Sequence, residues 1–70
     1  MPLTFVKPGD MVKIKDIIGG GVVYKLLMEM GLNKGSKIKM IKNSSGPIIV
    51  AVGERRIAVG RGMAMKVMVM

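Results

Sequence analysis

The side chains that could carry out acid–base or metal chemistry are few in this chain. It contains four carboxylates, Asp10, Asp16, Glu29 and Glu54, and neither Cys nor His. A catalytic carboxylate pair needs two acids in contrasting environments, whereas Asp10 and Glu54 are predicted in turns and Glu29 on the polar side of a helix. His is the usual acid–base catalyst, and Cys and His are common transition-metal ligands. We therefore expect no catalytic residue, no cofactor and no tight metal site, including for Fe(II).

Two further segments resemble ligand sites in composition. The glycines at 19–21 precede a predicted helix, and helix N-termini bind anions. However, the chain has no P-loop spacing, and Tyr24 stands where a dinucleotide fingerprint needs its third glycine. The Met-rich segment 63–70 offers thioethers that could bind Cu(I), but Met is also an ordinary gap filler of cores. The residue types favour a sharp strand-to-helix turn for the first segment and packing for the second.

Positive charge is the strongest chemical signal in the sequence. The formal net charge is +8, which favours nucleic acid, an anionic membrane surface or an acidic protein face as partner. The alternative is that the charge only provides a soluble surface, with lysines on the outside of strands. Four lysines are predicted at outward strand positions, where they form one stripe if the two strands are neighbours: Lys13, Lys15, Lys37 and Lys39. RNA-binding barrels usually add aromatic platforms for base stacking. The only aromatic residues are Phe5 and Tyr24, in different segments, which argues against nucleic acid.

Period-two patterns predict several short strands. After the turn at Pro8-Gly9, Val12, Ile14 and Ile18 are predicted on the buried side of a strand. Asp16 interrupts that side, so the strand is expected either to bend or to reach an edge of the sheet there. Later segments predict four more strands, with a hairpin turn at 43–47, a turn at 53–54, and a short link at 60–65.

One helix is predicted at about residues 21–30. Its apolar stripe is predicted to contain Val23, Leu26, Leu27 and Met30, at helical spacing. Gly31 then occupies the left-handed position that ends a helix, Leu32 folds back onto the last turn, and Gly35 belongs to the turn before the next strand. These elements predict a mainly β, single domain over 1–70: a small, partly open SH3-like barrel of about five strands, with the helix inserted after the first strand.

The flank of this helix is the predicted partner interface. Tyr24 and Met28 are neighbours there but lie away from the centre of the apolar stripe, and Lys25 stands beside them. If they are exposed, they form an apolar edge that a partner protein could cover. The alternative is that the N-terminal segment at 2–6 covers them as part of the core.

Three stretches carry a resemblance to a known family. LLMEMGLNKGSKI, LTFVKPGDMVKIKDIIGGG and IAVGRGMAMKVMV resemble, in order and spacing, the segments of the FeoA family across nearly the whole chain. The resemblance implies an SH3-like barrel and a non-enzymatic accessory that contacts FeoB, the membrane ferrous-iron transporter with a cytoplasmic GTPase domain. Family members often carry several arginines before the helix leucines, whereas only Lys25 stands here.

The resulting expectation is a cytoplasmic adaptor of ferrous iron uptake. The N-terminal sequence lacks the basic region and the following apolar run that define a signal peptide. No stretch of the chain is apolar over the length that a membrane span needs. Two other functions remain open: a basic nucleic-acid-binding barrel, and a metal-responsive regulatory domain of the kind that resembles FeoA in metal-dependent transcriptional regulators. Weak self-association also remains open.

Overall fold

The computed structural model describes all residues from 1 to 70. After a 3-10 turn at Leu3–Phe5, the elements are β1 (Met11–Ile17), α1 (Gly21–Glu29), β2 (Lys37–Lys42), β3 (Ile48–Val52), β4 (Arg55–Val59), α2 (Arg61–Ala64) and β5 (Val67–Val69). The strands form one antiparallel sheet in the order β4-β3-β2-β1-β5. This confirms the predicted mainly β architecture with a helix after the first strand. Neither helix has the length and apolar character needed to span a membrane.

The two edges of the sheet differ. Along β5, Met1 exchanges two backbone-type hydrogen bonds with Val69, and Pro2 bridges to Met68. By contrast, β4 pairs only with β3. The barrel is therefore partly open, with one covered edge and one free edge.

The core lies inside the curved sheet and is closed at its ends by the helices and the N-terminal turn. It comprises 14 buried residues, all of them apolar. Alternation along β2 and β3 buries Ile38, Met40, Ile48 and Val50. No buried polar side-chain atom lacks a partner, so the interior carries no hidden polar chemistry.

A bulge in β1 overturns one predicted core position. The register with β5 shifts between Ile14 and Asp16, so the alternation changes phase. As a result Ile17 is buried, whereas Ile18, which was predicted on the buried side, is 51% exposed. The Asp16 carboxylate accepts a hydrogen bond from the Ile17 N–H at 2.8 Å, which holds the bend that the sequence predicted at this residue.

The stripe by which α1 contacts the core is narrower than predicted. Leu27 is fully buried and Val23 and Met30 are half-buried, but Leu26 is 44% exposed. Residues 23, 27 and 30 lie on one seam of a helix, and residue 26 is rotated about 100° from residue 27. The helix rests on the end of the barrel through that seam alone, so the predicted burial of Leu26 was wrong.

The end of α1 is a complete left-handed cap. Gly31 has φ +88°, its N–H donates to the Met28 carbonyl at 2.9 Å, and the Leu32 N–H donates to the Leu27 carbonyl at 2.9 Å. This pair of bonds defines a Schellman motif, in which the residue after the glycine packs back on the last turn. Leu32 is accordingly buried with Leu27. At the other end of the helix, only Gly19 has positive φ, so the predicted strand-to-helix turn requires a residue without Cβ at that position alone.

Candidate functional site

The flank of α1 is open to solvent. Tyr24 is 39% exposed and Met28 is 45% exposed, and Lys25 between them is also exposed. The N-terminal segment does not bury them: Leu3 and Val6 point into the core, while Phe5 is exposed. The alternative that Tyr24 and Met28 are core residues was therefore wrong. Leu27, which is rotated about 60° from Tyr24 and about 100° from Met28 around the helix axis, is fully buried and anchors the helix in the core.

The four lysines of the predicted stripe are brought together by strand pairing. Lys13 lies directly opposite Lys37, and Lys39 lies opposite Met11 in the β1–β2 register. Lys15 follows at the bulge, and all four side chains are exposed. Like charges directly opposite each other on neighbouring strands are destabilising. The arrangement is thus unfavourable for the isolated protein unless an anion neutralises it.

The helix flank and the lysine stripe are adjacent in the chain topology. α1 connects the end of β1 to the start of β2, so Lys15 and Lys37 are the stripe residues nearest to it in the topology. No side-chain hydrogen bond or ion pair joins Tyr24, Lys25 or Met28 to the stripe. The structure therefore shows no side-chain hydrogen bond or ion pair that couples the two surfaces.

The register extends the positive surface beyond the predicted stripe. Lys39 is opposite Ala51, which is opposite Arg56 on β4, so Arg56 joins the same outward face. The two-residue turn at Gly53-Glu54 fixes this register, since Val52 pairs with Arg55. Short hairpin loops determine strand register, so this turn was the signal in the sequence that could have placed Arg56.

A shallow groove lies beside the stripe. It has a volume of about 400 Å³ and is lined by Met11, Val12, Lys13, Lys37 and Met70. Lys13 and Met70 exchange backbone hydrogen bonds of 3.0 Å, which fix one wall. Its surface is mainly apolar with two lysines at the rim, so it can accept an apolar group that lies next to an anionic one.

The carboxylates are dispersed over the molecule. Asp16 and the Lys34 Nζ are 3.4 Å apart; the pKa of Asp16 is lowered, chiefly by the hydrogen bond from the Ile17 N–H and next by the charge of Lys34. The other three carboxylates have no ion-pair partner. No three of the four lie close enough together to hold a metal ion.

Two polar residues that sequence reasoning missed hold the surfaces in place. The Arg55 Nη2 donates to the Met30 carbonyl at 3.3 Å, so β4 is tied to the negative end of α1. The Asn43 amide donates to the carbonyls of Thr4 (2.9 Å) and Val6 (2.8 Å), and Arg61 donates to its oxygen at 2.9 Å. Asn43 was assigned only to a turn, and its neighbours in sequence give no sign of this long-range role.

Comparison with known proteins agrees with this architecture. A family model described as the FeoA domain matches residues 1–70. A Methanocaldococcus jannaschii protein provisionally named Fe(2+) transport protein A is 47% identical over 68 residues, which are 97% of this chain and 83% of that protein. A crystal structure of an iron uptake regulatory protein, FeoA, matches with a TM-score of 0.93 at 40% identity, covering 99% of this chain and 93% of that one.

A more distant structure shows the same fold. The solution structure of iron(II) transport protein A from Clostridium thermocellum matches with a TM-score of 0.90 at 27% identity, covering 99% of this chain and 44% of that chain. The predicted resemblance is confirmed, because the match of the family model and the identity to the archaeal protein both extend over nearly the whole chain. The chain therefore belongs to the FeoA family.

Proposed function

We propose that this protein is a non-enzymatic, cytoplasmic accessory of ferrous iron uptake that contacts the cytoplasmic, GTPase-containing part of a FeoB-type membrane transporter. Family membership supports a role in iron transport. The observation that carries the protein-contact mechanism is the exposed pair of Tyr24 and Met28 on a helix that is anchored in the core by Leu27. The single domain 1–70 would act as a whole in this role.

The α1 flank has the composition of a protein interface. Aromatic and Met residues are enriched at interface centres, whereas Lys is depleted there. Tyr24 and Met28 can supply the apolar centre, and Lys25 with the nearby lysines of the stripe can supply a basic rim that guides encounter with an acidic surface. The C-terminal half of the helix is held by Leu27 in the core and by the Arg55 hydrogen bond to the Met30 carbonyl. The interface is therefore presented in a fixed orientation.

A pull-down with the cytoplasmic part of the FeoB-like protein from the same source tests this proposal. The double variant Tyr24→Ala with Met28→Ala should weaken capture by about 30-fold or more, since a hot-spot truncation costs about 2 kcal/mol of binding. Because neither residue is in the core, the melting temperature should stay close to that of the wild type. The matched control is Val22→Ala, which removes an exposed apolar side chain from another side of the same helix.

Each outcome of this experiment has a distinct meaning. Unchanged capture by a double variant with unchanged stability would rule out the α1 flank as the interface. A fall in stability of several kcal/mol, the size expected when large core side chains are truncated at about 2–5 kcal/mol each, would mean that weaker capture reflects unfolding and not the loss of a contact. If the wild type itself does not capture the transporter domain, the proposed partner is wrong.

A further inference from the structure

The outward side of the sheet concentrates half of the chain's cations. Outward positions alternate with buried ones along the strands except at the register shifts after Ile14 in β1 and after Met40 in β2, and the second shift pairs Lys42 with Ile49. The strand registers align the outward positions across β1 to β4. We name this surface the basic sheet face. Its six cations, of 12 in the chain, are Lys13, Lys15, Lys37, Lys39, Lys42 and Arg56.

This face has almost no counter-charge of its own. Asp16 is the only carboxylate in any strand, and Lys34 lies 3.4 Å from it. Lys13 and Lys37 face each other directly, and Arg56 lies two strands from Lys39, about 10 Å away at the usual strand spacing. The positive charge therefore covers an area several strands wide, so it matches an extended anionic surface better than a single anionic group.

The residue types on the basic sheet face favour one kind of extended anionic surface, a lipid bilayer, over nucleic acid or an acidic protein. Nucleic acid binders of this size use aromatic stacking platforms, and neither Phe5 nor Tyr24 lies on these strands. Five of the six cations are lysines, which are flexible, strongly hydrated point charges, whereas Arg is the residue of choice for bidentate recognition of carboxylates at protein interfaces. Lysines spread over a sheet suit the headgroups of anionic lipids, which attract basic residues without a fixed geometry.

Exposed apolar side chains lie next to the lysines of the basic sheet face, as on surfaces that bind at the membrane–water interface. Met11 is 61% exposed beside Lys39, and Met70 is 67% exposed at the groove that Lys13 and Lys37 border. Apolar residues next to lysines are the pattern by which a surface enters the headgroup region while its charges meet the phosphates. We propose that the basic sheet face docks on the surface of an anionic phospholipid bilayer, with Met11 and Met70 entering the interface. This inference goes beyond the proposed protein contact, and it does not require the transporter.

Vesicle co-sedimentation of the full chain tests the proposal. The probes are vesicles of equal parts phosphatidylglycerol and phosphatidylcholine, compared with vesicles of phosphatidylcholine alone. We expect binding only to the anionic vesicles, and release by salt. Lys13→Gln with Lys37→Gln should weaken binding about 30-fold, which corresponds to about 1 kcal/mol for each lysine near the surface. The control Lys7→Gln with Lys66→Gln removes the same charge from exposed positions outside the strands and should change binding less than about fivefold.

We expect the variant Lys13→Gln with Lys37→Gln to fold normally, because removing two like charges that face each other does not lower stability. An unchanged or higher melting temperature confirms that binding, not folding, was changed. Equal binding to neutral vesicles, equal losses in the test and control pairs, or capture of an acidic polypeptide or of RNA without vesicle binding would each overturn the proposal. Since no transporter is present in the assay, the result is independent of whether the α1 flank contacts FeoB.

Discussion

Replacing Gly31 by valine perturbs the residue that ends α1. At φ +88°, a β-branched residue is strained, and residues held in such regions cost about 1–3 kcal/mol. A Cβ at this position would also lie 2.6 Å from the Arg55 Nη2. The guanidinium must move away and lose its bond to the Met30 carbonyl, which is worth about 0.5–1.5 kcal/mol. We expect a total loss of about 2–4 kcal/mol from a domain whose whole stability is about 4–10 kcal/mol.

Urea unfolding followed by circular dichroism measures this loss, and a double-mutant cycle separates its two causes. Gly31→Ala alone carries both the backbone strain and the clash. In an Arg55→Ala background, the clash is absent and only about 1–2 kcal/mol of left-handed strain remains. Gly62→Ala is the control, since this glycine lies in α2, has no positive φ and has no atom within 4 Å of a new Cβ. A midpoint for Gly31→Val equal to that of the wild type would refute the capping argument. A cost of Gly31→Ala that vanishes in the Arg55→Ala background would refute the strain argument.

Three further outcomes are expected. Asn43→Ala should lower the free energy of unfolding by about 1–3 kcal/mol, because it leaves two carbonyls and Arg61 without their partner; a loss below about 0.3 kcal/mol in urea unfolding would contradict this. Because the pKa of Asp16 is lowered in the folded protein from its ordinary value of 3.8, its stabilising contribution should be present above that pH and lost on acidification below it; an acid-unfolding curve for Asp16→Asn that coincides with that of the wild type would show that no such contribution exists. Calorimetry with Fe(II) or Zn(II) should show no stoichiometric sub-micromolar site, given the absence of His and Cys; such a site would contradict the expected lack of tight metal binding.

The sequence predicts those parts of the fold that local chemistry decides. Gly31 and Leu32 stand at the spacing of a helix stop, and period-two segments mark the strands, so the five strands and α1 could be predicted in their order, whereas the 3-10 turn at Leu3–Phe5 and the helix α2 were not predicted as elements. The bulge at Asp16 could be predicted as a bend, but the shift that exposes Ile18 depends on pairing with β5 more than 50 residues later in the chain. Burial of the α1 side chains also depends on distant parts of the chain. Whether the barrel end covers Leu26 as well as Leu27 depends on how much of that end faces α1.

The surface features also divide into those that local sequence predicts and those that depend on distant strand pairing. The lysine stripe follows from alternation and needs only the pairing of β1 with β2, which was stated as a condition. Arg56 joins the basic sheet face through a register that passes across two hairpins. Asn43 holds the N-terminal turn through residues nearly 40 positions away, and no periodicity in the sequence encodes such a contact.

The unequal edges of the sheet limit how copies of this chain can associate. Open-ended cross-β growth requires two exposed sheet edges on each molecule, because each copy must pair one edge with the preceding copy and the other edge with the next. Here Met1 and Pro2 occupy the β5 edge, and only β4 is free. Two copies that pair β4 to β4 form a two-fold dimer and consume the free edge of both. Self-association by strand addition therefore terminates at two molecules, and a fibre can form only after the N-terminal residues detach from β5.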